Sequence, residues 1–180
     1  MLTIRIGGWA GQGTVLAGTI LGKSLALGQG YDVVQKRSYS AAVRSGIAYS
    51  DIMADKKEVD ELVVDIPTYL LILYQKTLDA WKDKVEGCEH LIVDSTRVHE
   101  INKTQGKVYE VPAGKIAEDI GSSKAANIVL LGALAKICDD IDLDSLIETI
   151  KSDFPEKYKD MNIKAVKKGF EYISGEYNKE

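Results

Sequence analysis

A short strand pattern that runs into a glycine cluster and out again as a helix constrains this chain more than any other feature. Leu2-Thr3-Ile4-Arg5-Ile6 alternates apolar and polar residues, and Gly7-Gly8-Trp9-Ala10-Gly11-Gln12-Gly13 interrupts it. Val15, Leu16, Ile20, Leu21, Leu25 and Leu27 then recur at helical spacing until Gly28 and Gly30. Such a turn aims backbone N–H groups and the positive end of a helix at the space above a sheet, which suits a phosphate or another anion. It departs from the dinucleotide fingerprint. Gly11-Gln12-Gly13 is followed by Thr14, Val15 and Leu16, so the third glycine is missing, and Asp32 begins the next strand instead of ending it. No Gly-Lys-Ser/Thr is present, so the turn is not a P-loop. From the residues alone, a tight turn that touches no ligand is as good a reading, because fold does not dictate function.

The rest of the chain alternates in the same way. Val33-Val34-Gln35 starts a second strand that runs into Lys36-Arg37-Ser38-Tyr39, read as the start of a polar loop, and Gly46 to Met53 reads as a half-exposed strand. Tyr69 to Tyr74 and Leu91 to Asp94 are apolar runs of strands buried on both faces, with one helix over Gln75 to Val85 between them. Lys107 to Val111 is a further strand, and Ala113 to Ile120 a short helix closed by Gly121. Three helices finish the chain. Ser123 is expected to cap the first, Asp142 or Asp144 starts the second, and Pro155 opens the third. The expected architecture is α/β: a three-layer, Rossmann-like fold with a mainly parallel sheet and helices on both faces. The 180 residues are expected to form one domain, and the helix from Lys124 to Cys138, apolar on nearly every side, to lie in its core.

Composition removes several function classes. The net charge is -4, with 23 Lys and Arg against 27 Asp and Glu, which leaves no cationic stripe for nucleic acid. The longest apolar stretch, Ala125 to Ala135, is about half the roughly 20 residues of a membrane span, and no secretory signal opens the chain, so a cytoplasmic location is expected. Cys88 and Cys138 form no Cys-x-x-Cys, so no zinc or iron-sulfur site can be read from them, and no metal site is expected in this chain. There is no Gly-x-Ser-x-Gly elbow and no His-Glu-x-x-His. His90 and His99 each adjoin an acid, as exposed loop histidines do, and Asp94 closes a strand either as a polar contact or as a cap for Arg97. No complete reaction centre is visible, which suits a subunit whose surface serves chemistry housed in another polypeptide.

One segment reverses the charge. Between Tyr31 and Tyr49 stand Lys36, Arg37 and Arg44 against Asp32 alone. Following a strand expected to neighbour the glycine turn, this loop should rise from the same carboxyl edge, where ligand sites of α/β sheets form. Arg44 with Ser45-Gly46 could fork onto a carboxylate or phosphate, and Tyr39 could supply a flat apolar wall. A solvated turn is the plainer alternative.

The run from Ile4 to Gly22, with Gly11-Gln12-Gly13 at its centre, resembles the opening of the gamma subunit, or gamma domain, of 2-oxoacid:ferredoxin oxidoreductases. Ser38-Tyr39-Ser40-Ala41-Ala42-Val43-Arg44-Ser45-Gly46 is similar to that family's Ser-Tyr-Gly-Pro-Glu-x-Arg-Gly-Gly loop. Asn127 with Leu131-Gly132-Ala133, and Asn162 with Ala165 and Gly169, resemble its last helices. The departures are Ala10 for a glycine, Ser40-Ala41-Ala42 for Gly-Pro-Glu, and Ser45 for a glycine. The resemblance implies a share in CoA-dependent oxidative decarboxylation of a 2-oxoacid to its acyl-CoA, with electrons passed to ferredoxin. It implies thiamine diphosphate, magnesium and iron-sulfur clusters on alpha and beta subunits, and on a ferredoxin-like delta subunit where one exists, with none bound by this chain alone. The residues it marks for cofactor or substrate contact are Gly8, Gly11, Gln12, Gly13, Ser38, Tyr39, Arg44, Ser45 and Gly46. The loop tyrosine points to the 2-oxoglutarate branch, with pyruvate, branched-chain and indolepyruvate members as alternatives. A stand-alone nucleotide- or anion-binding module and a purely structural partner protein are the readings from other classes.

Overall fold

A computed structural model describes residues 1–39, 46–60, 63–101 and 103–176. The first strand, β1 (Leu2–Trp9), is central, and its aliphatic side chains are buried. Helix α1 (Thr14–Lys23) follows the glycine turn and passes into a π-helical turn, Ser24–Gly28. The remaining strands are β2 (Asp32–Tyr39), β3 (Ile47–Asp55), β4 (Tyr69–Ile72), β5 (His90–Asp94) and β6 (Lys107–Val111). They form one six-stranded sheet in the order β2-β3-β1-β4-β5-β6. Pairs β1–β4, β4–β5 and β5–β6 are parallel, whereas β3 is antiparallel to both β1 and β2.

The sheet is therefore mixed, with β3 inserted between β1 and β2, so β2 does not neighbour the glycine-turn strand. Lys36, Arg37, Ser38 and Tyr39 belong to β2 and not to a loop, since they pair with Asp51, Ser50, Tyr49 and Ala48 of β3. An edge strand keeps one side in water, so polar residues continue it without cost. Strand β3 is more buried than its alternation suggests because it lies between two others: its Asp51 binds Arg5 of β1, and its Ser50 accepts a hydrogen bond from Gln35 Nε2 of β2 at 2.9 Å.

Helices cover both faces. On one side α1, α4 (Ala113–Asp119), α5 (Ala126–Ile137), α6 (Leu143–Asp153) and α7 (Glu156–Glu176) enclose Ile4, Ile6, Leu71 and Ile92. On the other, α2 (Gln75–Ala80) and α3 (Lys82–Gly87) cover Leu70, Ile72, Leu91 and Val93. The single helix expected over Gln75 to Val85 is broken at Trp81, whose backbone leaves helical geometry. Its indole lies within 5.5 Å of the Arg5 guanidinium and packs edge-on to Tyr49, so tertiary contact overrides local helix propensity. Helix α5 is buried along ten consecutive residues, Ala126 to Ala135. Its preceding residue is Ala125 without a side-chain cap, so Ser123 does not cap it, whereas Asp142 caps α6 by accepting from Ser145 N at 2.8 Å. No described helix is long and apolar enough to cross a membrane.

Candidate functional site

The glycine turn sits at the carboxyl end of β1, between β3 and β4. Gly11 and Gly13 hold φ of 91° and 73°, a region that side chains other than glycine's rarely enter. Gly13 precedes α1; its carbonyl accepts from Ala17 N and also from Asn127 Nδ2 at 2.9 Å, which ties α5 to the turn. Gly8 leaves room for Gln12, whose Oε1 lies 2.7 Å from where a Cβ on Gly8 would stand. Gly46 joins the turn from the hairpin side: Ala10 N donates to its carbonyl at 2.6 Å. The end of the β2–β3 hairpin thus meets the glycine turn, as topology at the carboxyl edge requires. Ser38 and the backbone of Tyr39 end β2, opposite Tyr49 and Ala48. Ser40, Ala41, Ala42, Arg44 and Ser45 lie outside the described residues.

A cleft of about 380 Å³ opens on this turn. Its floor is Ala10, Gly11 and Gln12, one wall is Leu73 and Tyr74 just past β4, and the far wall is Ser123, Lys124 and Ala126 at the start of α5. Trp9 and Tyr74 pack with ring centroids 5.6 Å apart, giving the cleft an aromatic side. Arg97 and Lys124 line it, and among the described residues no carboxylate does. In a chain of net charge -4, two cations lining one cleft, with the nearest acid buried behind Arg97, make this a locally cationic surface.

Arg97 is held from behind. Its Nε lies 3.9 Å from Asp94 Oδ2, and the Asp94 side chain is fully buried. Asp94 Oδ1 accepts from Thr96 N at 3.1 Å and Gly114 N at 3.0 Å, leaving Oδ2 with no hydrogen bond. Of the two roles expected of Asp94, the structure shows the cap for Arg97 and its turn; the side chain is fully buried and does not line the cleft. Neither Arg97 nor Lys124 is marked as a binding residue by the sequence pattern. The signal available was Arg97's position three residues beyond a strand-ending aspartate, at the edge where ligands gather.

Other residues fall elsewhere. Asp32 stands at the opposite edge and accepts from Val59 N at 2.8 Å, in agreement with its exclusion as a ribose contact. His99 is exposed on the loop after β5, its backbone N–H donating to Gln75 Oε1 at 2.8 Å. His90 is not a loop residue: it begins β5, stacked on Tyr69 at 4.6 Å and beside Tyr109 at 6.0 Å, and burial lowers its pKa. Cys88 and Cys138 are both buried, and burial pushes the Cys88 thiol up to about 11 and raises that of Cys138. Among the described residues no three His, Cys, Asp or Glu side chains are grouped to hold a metal ion.

The family model described as pyruvate ferredoxin/flavodoxin oxidoreductase matches residues 3–172. The chain belongs to that family. The chain is also similar to the KorC subunit of 2-oxoglutarate synthase from Methanocaldococcus jannaschii, 32% identical over 171 residues, 93% of this chain and 91% of that one. The keto/oxoacid ferredoxin oxidoreductase gamma subunit from Geobacter sulfurreducens superposes with a TM-score of 0.84 at 29% identity, over 95% of this chain and 97% of that one. The same fold appears within the larger 2-oxoglutarate:ferredoxin oxidoreductase chain of Magnetococcus marinus, solved with 2-oxoglutarate, coenzyme A and succinyl-CoA bound. There the TM-score is 0.85 at 22% identity, and the match covers 96% of this chain and 31% of that one. This chain is a gamma-type subunit of a 2-oxoacid:ferredoxin oxidoreductase, as its glycine turn and final helices led one to expect.

Proposed function

We propose that this subunit serves the oxidation of 2-oxoglutarate by helping to hold coenzyme A, at the glycine-turn cleft, for transfer of the acyl group. The carrying observation is that Arg97 and Lys124 line one cleft with Gly11, and that among the described residues no carboxylate lines it. Phosphates are the part of coenzyme A such a cleft would hold, by charge and by N–H donors at the turn. The choice of 2-oxoglutarate is supported by the KorC likeness and by the ligands of the Magnetococcus enzyme. Thiamine diphosphate with magnesium, which supplies the carbanion chemistry, and iron-sulfur clusters, which carry electrons to ferredoxin, belong in this reading to alpha, beta and delta-type partners in the cytoplasm. The two buried, separated cysteines of this chain are unsuited to cluster ligation.

Gly46, whose carbonyl accepts from Ala10 N of the turn, belongs in this reading to the same site. The test is reconstitution with the partner subunits, assaying CoA- and 2-oxoglutarate-dependent dye reduction with and without this chain. Activity is expected only in the full complex. Oxidation of a 2-oxoacid by the isolated chain, or undiminished CoA-dependent turnover without it, would overturn the reading. Faster turnover of pyruvate or a branched-chain 2-oxoacid than of 2-oxoglutarate would reassign the substrate alone.

A further inference from the structure

Gln12 lines the cleft, yet its carboxamide is engaged by backbone at both ends. Oε1 accepts from Trp9 N at 2.6 Å, and Nε2 donates to the Leu73 carbonyl at 3.1 Å. The orientation of the amide is fixed by its partners, because the Trp9 N–H can only donate and the Leu73 carbonyl can only accept. One side chain thus ties the last residue of β1 to the residue just past β4, where Leu73 N also donates to the Gly7 carbonyl at 2.9 Å. Two residues further on, Gln75 does the matching job for the other wall. Its backbone N–H donates to the Arg97 carbonyl at 3.2 Å, and its side-chain Oε1 accepts from His99 N and Glu100 N at 2.8 and 3.1 Å. The stretch Leu73 to Gln75 is therefore a hub: the glycine turn hangs from it through Gln12, and the Arg97 loop through Gln75.

We propose that Gln12 is a positioning residue that sets the distance between the glycine turn and Arg97, and with it the fit of the cleft to the anionic part of the acyl acceptor. It acts through its two backbone bonds. The inference rests on the cleft reading given under Proposed function. Gln12 holds the floor of the cleft against Leu73 with a donor and an acceptor in a fixed order, and Gly8 supplies the space that brings its Oε1 onto Trp9 N. Glutamate has the same shape but no donor, so it would set an anionic oxygen against the Leu73 carbonyl and a negative charge beside Arg97 and Lys124. Methionine has similar length and makes neither bond.

The experiment uses the reconstituted complex carrying Q12E or Q12M in this chain, with Arg97→Ala as a comparator. Loss of an aligned hydrogen bond that leaves a carbonyl unpaired should raise the KM for coenzyme A about tenfold in Q12E, and by less in Q12M. The KM for the 2-oxoacid and kcat at saturating coenzyme A should stay near the unsubstituted values. A CoA KM unchanged in both variants while Arg97→Ala raises it would sink the role of Gln12 and leave the cleft reading standing. An unchanged CoA KM in all three would remove the cleft reading itself. Parallel losses in both KM values, kcat and melting temperature would make Gln12 a merely structural residue. Should Q12E fail to assemble, Q12M decides, and a CoA KM equal to that of the unsubstituted complex counts against the proposal.

Discussion

Gly132 of α5 and Gly169 of α7 meet backbone to backbone: a Cβ on Gly132 would overlap the Val166 carbonyl oxygen, and one on Gly169 would overlap that of Val129. The reciprocity means that each helix presents its bare turn to a carbonyl of the other. Because the obstructing atoms are main chain, no rotamer change can relieve the overlap. Gly132→Ala or Gly169→Ala should each destabilise the chain by about 1 to 3 kcal/mol, more than the helix propensity alanine gains. For a chain of this size that lowers the melting temperature by roughly 2 to 4 °C per kcal/mol, which thermal unfolding would register. A variant as stable as the original would show that the two helices can part without loss.

The Arg5–Asp51 pair joins β1 to β3 where both side chains are buried, Arg5 Nε and one amino group forking onto the two carboxylate oxygens at 2.5 and 2.7 Å. The same amino group donates to the Val64 carbonyl at 2.9 Å, and Tyr49 and Trp81 flank the guanidinium. Removing one partner leaves an uncompensated buried charge, so Arg5→Met alone should cost about 3 to 5 kcal/mol. Arg5→Met with Asp51→Leu should recover much of that loss. Urea midpoints of the two single variants and the double variant form the cycle that checks it, and additive losses would contradict the account.

His90 makes stability fall on acidification. Burial is the main cause of its lowered pKa, Lys107 adds to it, and Glu89 opposes it. A base with a depressed folded pKa takes up its proton more readily in the unfolded chain, so protonation favours unfolding. Nothing is lost above the ordinary histidine value of 6.5; the loss begins as pH falls through that value and ends below the lowered one. His90→Phe keeps a ring between Tyr69 and Tyr109, and its stability curve should be flatter across this window. Identical slopes for the two proteins in denaturant melts between neutral pH and pH 5 would assign the acid sensitivity to other groups.

Arg97→Ala should raise the CoA requirement of the reconstituted enzyme by roughly tenfold to a hundredfold, the worth of one charge-assisted contact. It should also weaken the salt dependence of kcat/KM for coenzyme A, since one of two cations facing the ligand is gone. Steady-state kinetics at several ionic strengths tests both, and unchanged values would return Arg97 to a surface role as the partner of Asp94.

The sequence pattern locates the glycine turn, all six strands, with β2 read too short, and α5 as core, because period and burial are local properties of the chain. What it conceals depends on neighbours distant in sequence. Arg5 reads as a solvent-facing position of an alternating strand until Asp51, forty-six residues on, arrives beside it. The insertion of β3 between β1 and β2 cannot be read from Lys36 to Tyr39, whose polarity suits a loop or an edge strand equally. Trp81 breaks its helix to cover Arg5, a choice made by packing. The candidate site was legible at its floor, in Gly11, Gln12 and Gly13, and illegible at its far wall. Arg97 and Lys124 reach one cleft from segments that only the fold brings together.

Both thiols of this chain are shut away, their pKa values raised by burial. A thioester exchanges its acyl group with whatever thiolate it meets, and thiolates are scarce where the pKa stands far above ambient pH. Beside a cleft read as holding an acyl carrier, this chain offers no competing sulfur to intercept the product. The same silence makes it a clean background for chemical labelling. A single cysteine installed at exposed Leu16, next to the glycine turn, would be the only readily alkylated position and could report on the cleft from within the assembled enzyme.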